Sequence, residues 1–194
     1  MLTKEILQAL KGYTEKMQKD VTFVVQTGEH SKREELVGFL SDIAGVSDKL
    51  SVEQRDTNGV LRSSVSFLIE ADGEDTGIRF SGIPGGHEFN SLILAMLHAS
   101  GTELKLDDSV ASIVKAVSEP LNFEVFISLS CHNCPEVVQA LNQFALINPN
   151  ITSEMIDGGL YQNVIEERDI QGVPSVYLNG ELFANGKVDA AVLI

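Results

Sequence analysis

Long hydrophobic runs are missing from this chain. The most notable, residues 92–97, is broken at once by His98 and falls far short of the roughly 20 apolar residues that a membrane-crossing helix needs. Positive charge is scarce as well: 14 Lys and Arg stand against 28 Asp and Glu, for a formal net charge of -14 at pH 7. A surface that acidic repels phosphate backbones and anionic headgroups, so neither nucleic acid nor membrane is expected as a partner. Cysteine is scarce too, with Cys131 and Cys134 alone, and their C-x-x-C spacing without a secretory signal favours cytosolic redox chemistry or a metal clip over a structural staple. The balance is globular, with 43% hydrophobic and 22% charged residues, enough for a sizeable core. A length of 194 residues fits one large domain or two small ones sharing a core. The opening residues place Ile6, Leu7, Leu10 and Tyr13 at helical spacing, which reads as a surface helix, and a cytoplasmic location is expected.

Along the chain, VTFVVQ (21–26) reads as a buried strand, and Ser31 is expected to cap a helix carrying Leu36, Val37, Leu40 and Ile43 inward. Strands follow at 50–54, 64–70 and 78–81, with a loop around Gly73 and Gly77, then a helix over 88–99. A helical linker (107–117) closes at Pro120, and the pattern restarts: strand 122–129, helix 135–147, strand ITSEMI, short helix 161–168, strand SVYL, a turn at Asn179-Gly180, strand ELFA and the start of a helix near Asp189.

The second series repeats the first with one added short helix. Phe80 and Phe183 lie 103 apart, the strings beginning at Ser66 and Ser175 lie 109 apart, and Val21 and Phe123 lie 102 apart. In that register the cysteines stand opposite Glu29 and Lys32, and Pro174 opposite Val65, so one copy holds the thiols and the other does not. Three segments are expected: a degenerate unit over 1–102, a helical linker over 103–120, and a redox-active unit over 121–194. The last helix has room for only two turns before Ile194, which suggests a piece of a longer chain.

A strand delivers Cys131 to the start of a helix, where a three-residue spacing puts the two α-carbons about 5 to 6 Å apart, within disulfide range. Unpaired N–H groups and the macrodipole there favour a thiolate at Cys131, the expected nucleophile. Cys134, one turn inside, is the expected resolving thiol, and Pro135 suits an early helix position. Forty residues on, Gly172-Val173-Pro174 precedes a strand. A cis Val173–Pro174 bond there would turn the Val173 carbonyl and amide toward the dithiol and offer an edge to a substrate peptide, whereas a plain strand-initiating proline would not.

The strings SLSCHNCPEVVQALN, MIDGGLYQNVIEERDIQGVPSVYLNGE and GHEFNSLILAML, over essentially the whole chain, resemble the N-terminal domain of the F component of alkyl hydroperoxide reductase. The resemblance implies an α/β protein of two fused thioredoxin-like folds, a mixed central sheet flanked by helices. It implies a relay: NADH reduces FAD in the whole flavoprotein, a dithiol beside the flavin passes electrons to this N-terminal dithiol, and that dithiol reduces the disulfide of a peroxiredoxin, the C component of alkyl hydroperoxide reductase. Neither FAD nor NADH is expected to bind this chain, which has no G-x-G-x-x-G. Carried over, Cys131 is the interchange thiol, Cys134 its resolving partner and Pro174 the cis-proline, with His132, Asn133 and Val173 completing the substrate surface. Glu88, in the GHEF string, matches a glutamate that the family places near the dithiol; it either exchanges protons with the thiols or merely supplies charge to the first turn of its helix.

Other chemistries fit less well. A zinc site from both cysteines and two of His30, His87, His98 and His132 lacks a second close ligand pair. Covalent haem needs His after the second cysteine, where Pro135 stands. The Gly82–Gly86 loop has the wrong glycine spacing for a dinucleotide and reads as a connection. His132 is expected to tune thiolate stability rather than to take a proton itself.

Overall fold

The computed structural model describes residues 2–194. Short apolar runs, buried on both faces in the central strands, form eight strands of one mixed sheet: β1 (Val21–Gln26), β2 (Leu50–Arg55), β3 (Ser66–Ala71), β4 (Glu74–Ser81), β5 (Leu121–Ile127), β6 (Ile151–Asp157), β7 (Ser175–Leu178) and β8 (Glu181–Asn185). Their order is β2-β1-β3-β4-β6-β5-β7-β8. The first four strands and the last four make the same arrangement, a parallel pair followed by two antiparallel neighbours. A parallel joint between β4 and β6, from Ile78 opposite Ser153 to Ser81 opposite Ile156, fuses the halves. The α/β fold class expected from the sequence is the one observed.

Helices α1 (Lys4–Thr14), α2 (Arg33–Ala44), α3 (Phe89–Ala99), α4 (Asp108–Lys115), α5 (Cys134–Ile147) and α6 (Gln162–Glu167) complete the chain. None is long and apolar enough to cross a membrane. Helix α5 packs on β4 and β6 and between α3 and α4, and it fully buries Val137, Val138, Leu141 and Phe144. In the first half, Phe67 stacks on Phe80 at 5.1 Å and meets Phe23 edge-on at 5.9 Å. Helix α1 follows the expected spacing, with Leu10 buried and Tyr13 left 55% exposed.

Strand pairing corrects several readings. Val21 opens the β1–β2 ladder opposite Leu50, and Leu121 opens β5–β6 opposite Ile151, so β1 matches β5 at an offset of 100, with Phe23 matching Phe123. Ser66 faces Ser81 as Ser175 faces Asn185, which keeps the 109 offset and Val65 opposite Pro174, but matches Phe80 to Ala184 rather than Phe183. A bulge in each hairpin shifts the register, which the strings do not show. Helix α2 begins at Arg33 and α5 at Cys134, so His30 and Arg33 stand where the second half has its cysteines. Lys32, not Ser31, occupies the cap of α2. Gly77 belongs to β4 rather than to a loop, because the hairpin turns tightly at Asp72-Gly73; its φ is +87°, and a Cβ there would meet the Ile151 carbonyl oxygen at 2.7 Å across the joint. Near Asp189 the chain makes turns instead of starting a helix, although Leu193 is buried.

A half-buried ion cluster also crosses the joint. Arg62, in the β2–β3 connection, pairs with Glu124 on β5 and, at 2.8 Å, with Glu154 on β6, while Arg168 reaches Glu124 at 3.0 Å. Burial works against the Arg62 charge, but the bonds and charges of Glu154 and Glu124 outweigh it and hold the guanidinium more tightly protonated than usual.

Candidate active site

Strand β5 ends at Ile127, and the next residues turn sharply before α5: the Cys131 N–H donates to the Ser128 carbonyl at 3.0 Å. Cys131 and Cys134 form a disulfide with α-carbons 5.6 Å apart. Cys131 lies ahead of the helix, not in its first turn, and is half-buried, while Cys134 is the first helical residue and fully buried. Pro135 follows at the helix start, where its missing N–H costs nothing. His132 and Asn133 are exposed between the sulfurs.

The Val173–Pro174 bond is cis, and the Val173 carbonyl oxygen lies 3.9 Å from Cys131 Sγ. Pro174 is buried and its carbonyl accepts from Gly186 N–H at 2.9 Å, tying the loop to β8. A cleft of about 410 Å³ borders Val173 between the α6–β7 loop and β8, lined among others by Arg168, Tyr177 and Leu182.

The opposite wall comes from the first half of the chain. Gly86 opens a 3-10 turn (Gly86–Glu88) after β4 with φ +53°, and a Cβ there would meet the Leu129 carbonyl oxygen at 2.7 Å. The next N–H, of His87, donates to that same carbonyl at 2.9 Å, and the His87 ring meets the His132 ring edge-on at 4.4 Å. Of the glycines in this loop, Gly86 thus serves close approach to the dithiol loop, Gly82 lies against the Asp157 side chain, and a Cβ on Gly85 would meet nothing within 4 Å. Among the described residues, no three His, Cys, Asp or Glu side chains converge as metal ligands would.

Glu88 completes this wall and is fully buried. Burial pushes its carboxyl up to about 7, against the opposing effect of the hydrogen bond from Ser91. Ser91 Oγ donates to Glu88 Oε1 at 2.6 Å, Gln139 Nε2 on α5 donates to Ser91 Oγ at 3.1 Å, and Glu88 Oε2 has no partner. The structure therefore gathers Cys131, Cys134, His132, Asn133, Val173 and Pro174, with Glu88 on the packed wall. Sequence reasoning missed Gly86, His87, Ser91, Gln139 and Leu129 as parts of the site. The GIPGG string was the available signal, since glycines between a strand and a helix also mark a close backbone approach.

The thioredoxin domain family matches residues 121–193. A crystal structure of the N-terminal domain of the alkyl hydroperoxide reductase AhpF from Enterococcus faecalis superimposes with a TM-score of 0.91 at 30% identity, covering 100% of this chain and 98% of that one. The chain belongs to the AhpF family. The F component of alkyl hydroperoxide reductase from Pseudomonas aeruginosa is 45% identical over 97% of this chain, and a Bacillus subtilis protein named NADH dehydrogenase is 43% identical over 97%. This chain spans 36% of the length of each of these relatives. It is a thioredoxin-like disulfide oxidoreductase domain of AhpF, as the CHNC and GHEF strings lead one to expect.

Proposed function

We propose that this domain carries electron pairs from a flavin module, which draws on NADH through FAD in the full-length protein, to the disulfide of a cytoplasmic peroxiredoxin, the C component of alkyl hydroperoxide reductase. The observation that carries this reading is the pairing of a half-exposed Cys131 beside the Val173 carbonyl with a fully buried Cys134. Cys131, as thiolate, attacks one partner sulfur and expels the other as thiolate. Cys134 then gives its proton to the Glu88 carboxylate and attacks the Cys131 sulfur, which forms the internal disulfide and releases the second partner sulfur as thiolate. The partner gains two electrons and the domain loses two. A carboxyl that titrates near 7 suits this proton transfer at neutral pH. His132, Asn133, Val173 and Pro174 form the surface on which the partner segment lies, with the Val173 backbone as its hydrogen-bonding edge.

Trapping tests the order of attack. With Cys134→Ser, incubation with the oxidised peroxiredoxin should accumulate a mixed disulfide, and mass spectrometry should map it to Cys131. No complex, or one formed equally by Cys131→Ser, would overturn the reading.

A further inference from the structure

Glu88 is held by a hydrogen-bond chain whose direction is fixed by chemistry. The Gln139 amide nitrogen has only protons to offer, so it occupies a lone pair of Ser91 Oγ and leaves the single Ser91 proton to be donated to Glu88 Oε1. An oxygen that already accepts this short bond is the poorer place for the acid's own proton. The other oxygen, Oε2, is buried and unpartnered. We infer that Ser91 and Gln139 are positioning residues that make Oε2 the oxygen of Glu88 that takes and returns the thiol proton. The inference rests on the relay proposed above and assigns a function to two residues with no sulfur chemistry of their own.

Burial supports the assignment. Ser91 is fully enclosed, and the half-buried Gln139 reaches it from α5, about one and a half turns beyond Cys134, where it lines a cleft with Tyr13, Asn90, Ile93, Leu94 and Leu97. The chain therefore links the helix that carries the resolving thiol to the wall that carries the carboxyl. The titratable groups on the segments packed against Glu88 are His87 in its own turn, His98 on α3, Cys131 and His132 on the dithiol loop, and Cys134 and Glu136 on α5. Ser91 also opposes the effect of burial on the carboxyl, so its loss moves the Glu88 titration upward.

The test uses the reduced 194-residue chain and the small disulfide 5,5′-dithiobis(2-nitrobenzoate), followed by stopped flow from pH 5.5 to 9. Cys131 releases the first thionitrobenzoate, and Cys134, on closing the internal disulfide, releases the second. Ser91→Ala should slow the second release about fivefold at pH 7 and raise its pH midpoint by about one unit, the effect of one lost hydrogen bond. The first release should not change. Ser91→Thr, which restores a hydroxyl, should restore the midpoint, and Gln139→Leu should raise it by less than Ser91→Ala does. An unmoved midpoint in Ser91→Ala, with Glu88→Gln erasing the same limb of the profile, would overturn the inference and leave the role of Glu88 standing. An unchanged second release in Glu88→Gln would instead overturn the role of Glu88 and this inference with it. Should Ser91→Ala be too unstable to assay, an unmoved midpoint in Gln139→Leu overturns the inference by itself.

Discussion

The two halves of the sheet share one frame and end it differently. In the second half the turn after the first strand holds Cys131 and Cys134, and the Val173 carbonyl stands open beside them. In the first half His30 and Arg33 occupy those positions and are tied up locally: His30 Nδ1 accepts from the Lys32 N–H at 3.0 Å, and Arg33 donates to the Gln26 carbonyl at 2.9 Å and to Gln54 Oε1 at 2.7 Å. Where Val173 offers a carbonyl, Ser64 reaches back to the Thr27 carbonyl at 3.2 Å, and a Cβ on Gly28 would lie only 2.3 Å from the Ser64 hydroxyl. Beneath these differences, Gly82 N–H donates to the Val65 carbonyl at 3.1 Å just as Gly186 N–H does to that of Pro174 at 2.9 Å. Strand hydrogen bonding preserves the frame because each buried backbone group needs a partner, whereas the reactive end is free to change. The first half has closed its own cleft and supplies Gly86, His87 and Glu88 to its neighbour.

With labour divided in this way, the halves respond unequally to substitution. Cys131→Ser should reduce thiol–disulfide exchange with a peroxiredoxin to background, a loss of a thousandfold or more, read as thiols released per unit time. Arg62→Leu strikes the joint itself: it leaves Glu124 and Glu154 without their shared partner, and should cost about 3 kcal/mol in urea unfolding at neutral pH.

Glu88→Gln separates the function of the wall from its stability. The carboxyl titrates near 7 when folded and near its ordinary value, about 4.5, when unfolded. Between those values the folded state binds more protons, so the wild type loses stability as pH rises through the window. The variant should match the wild type below pH 4.5 and exceed it by about 3 kcal/mol at pH 8 in parallel denaturation curves. Equal stability at both pH values would show that burial does not hold the carboxyl up.

Gly86→Ala forces a side chain against the Leu129 carbonyl at a positive φ, and should cost about 1–2 kcal/mol while slowing exchange, since it moves the wall away from the dithiol. His30→Ala, at the corresponding turn of the first half, should change exchange less than twofold and stability by less than about 1 kcal/mol. A large effect on exchange there would break the comparison.

Local patterns sufficed for much of this. The apolar run in VTFVVQ, the helical spacing of Leu36, Leu40 and Ile43, and the strand–CHNC–helix order are short-range features, and neighbouring residues alone determine them. They carried the α/β class, the repeated unit and the position of the dithiol before Pro174. The offset of 100 between β1 and β5 was not legible, because inter-strand hydrogen bonds and bulges set it rather than side-chain identity.

What the sequence by itself determined is thus the dithiol and the kind of frame that carries it. Only the tertiary structure decided what surrounds the dithiol. Ser91 and Gln139 are 48 residues apart, and Arg62 and Glu154 are 92 apart; neither pair shares a helix face or a hairpin. The β4–β6 joint brings them together, and partial burial there favours partners within the protein over water. The same burial raises the titration of Glu88 to about 7, a property of the enclosure that no string of residues displays.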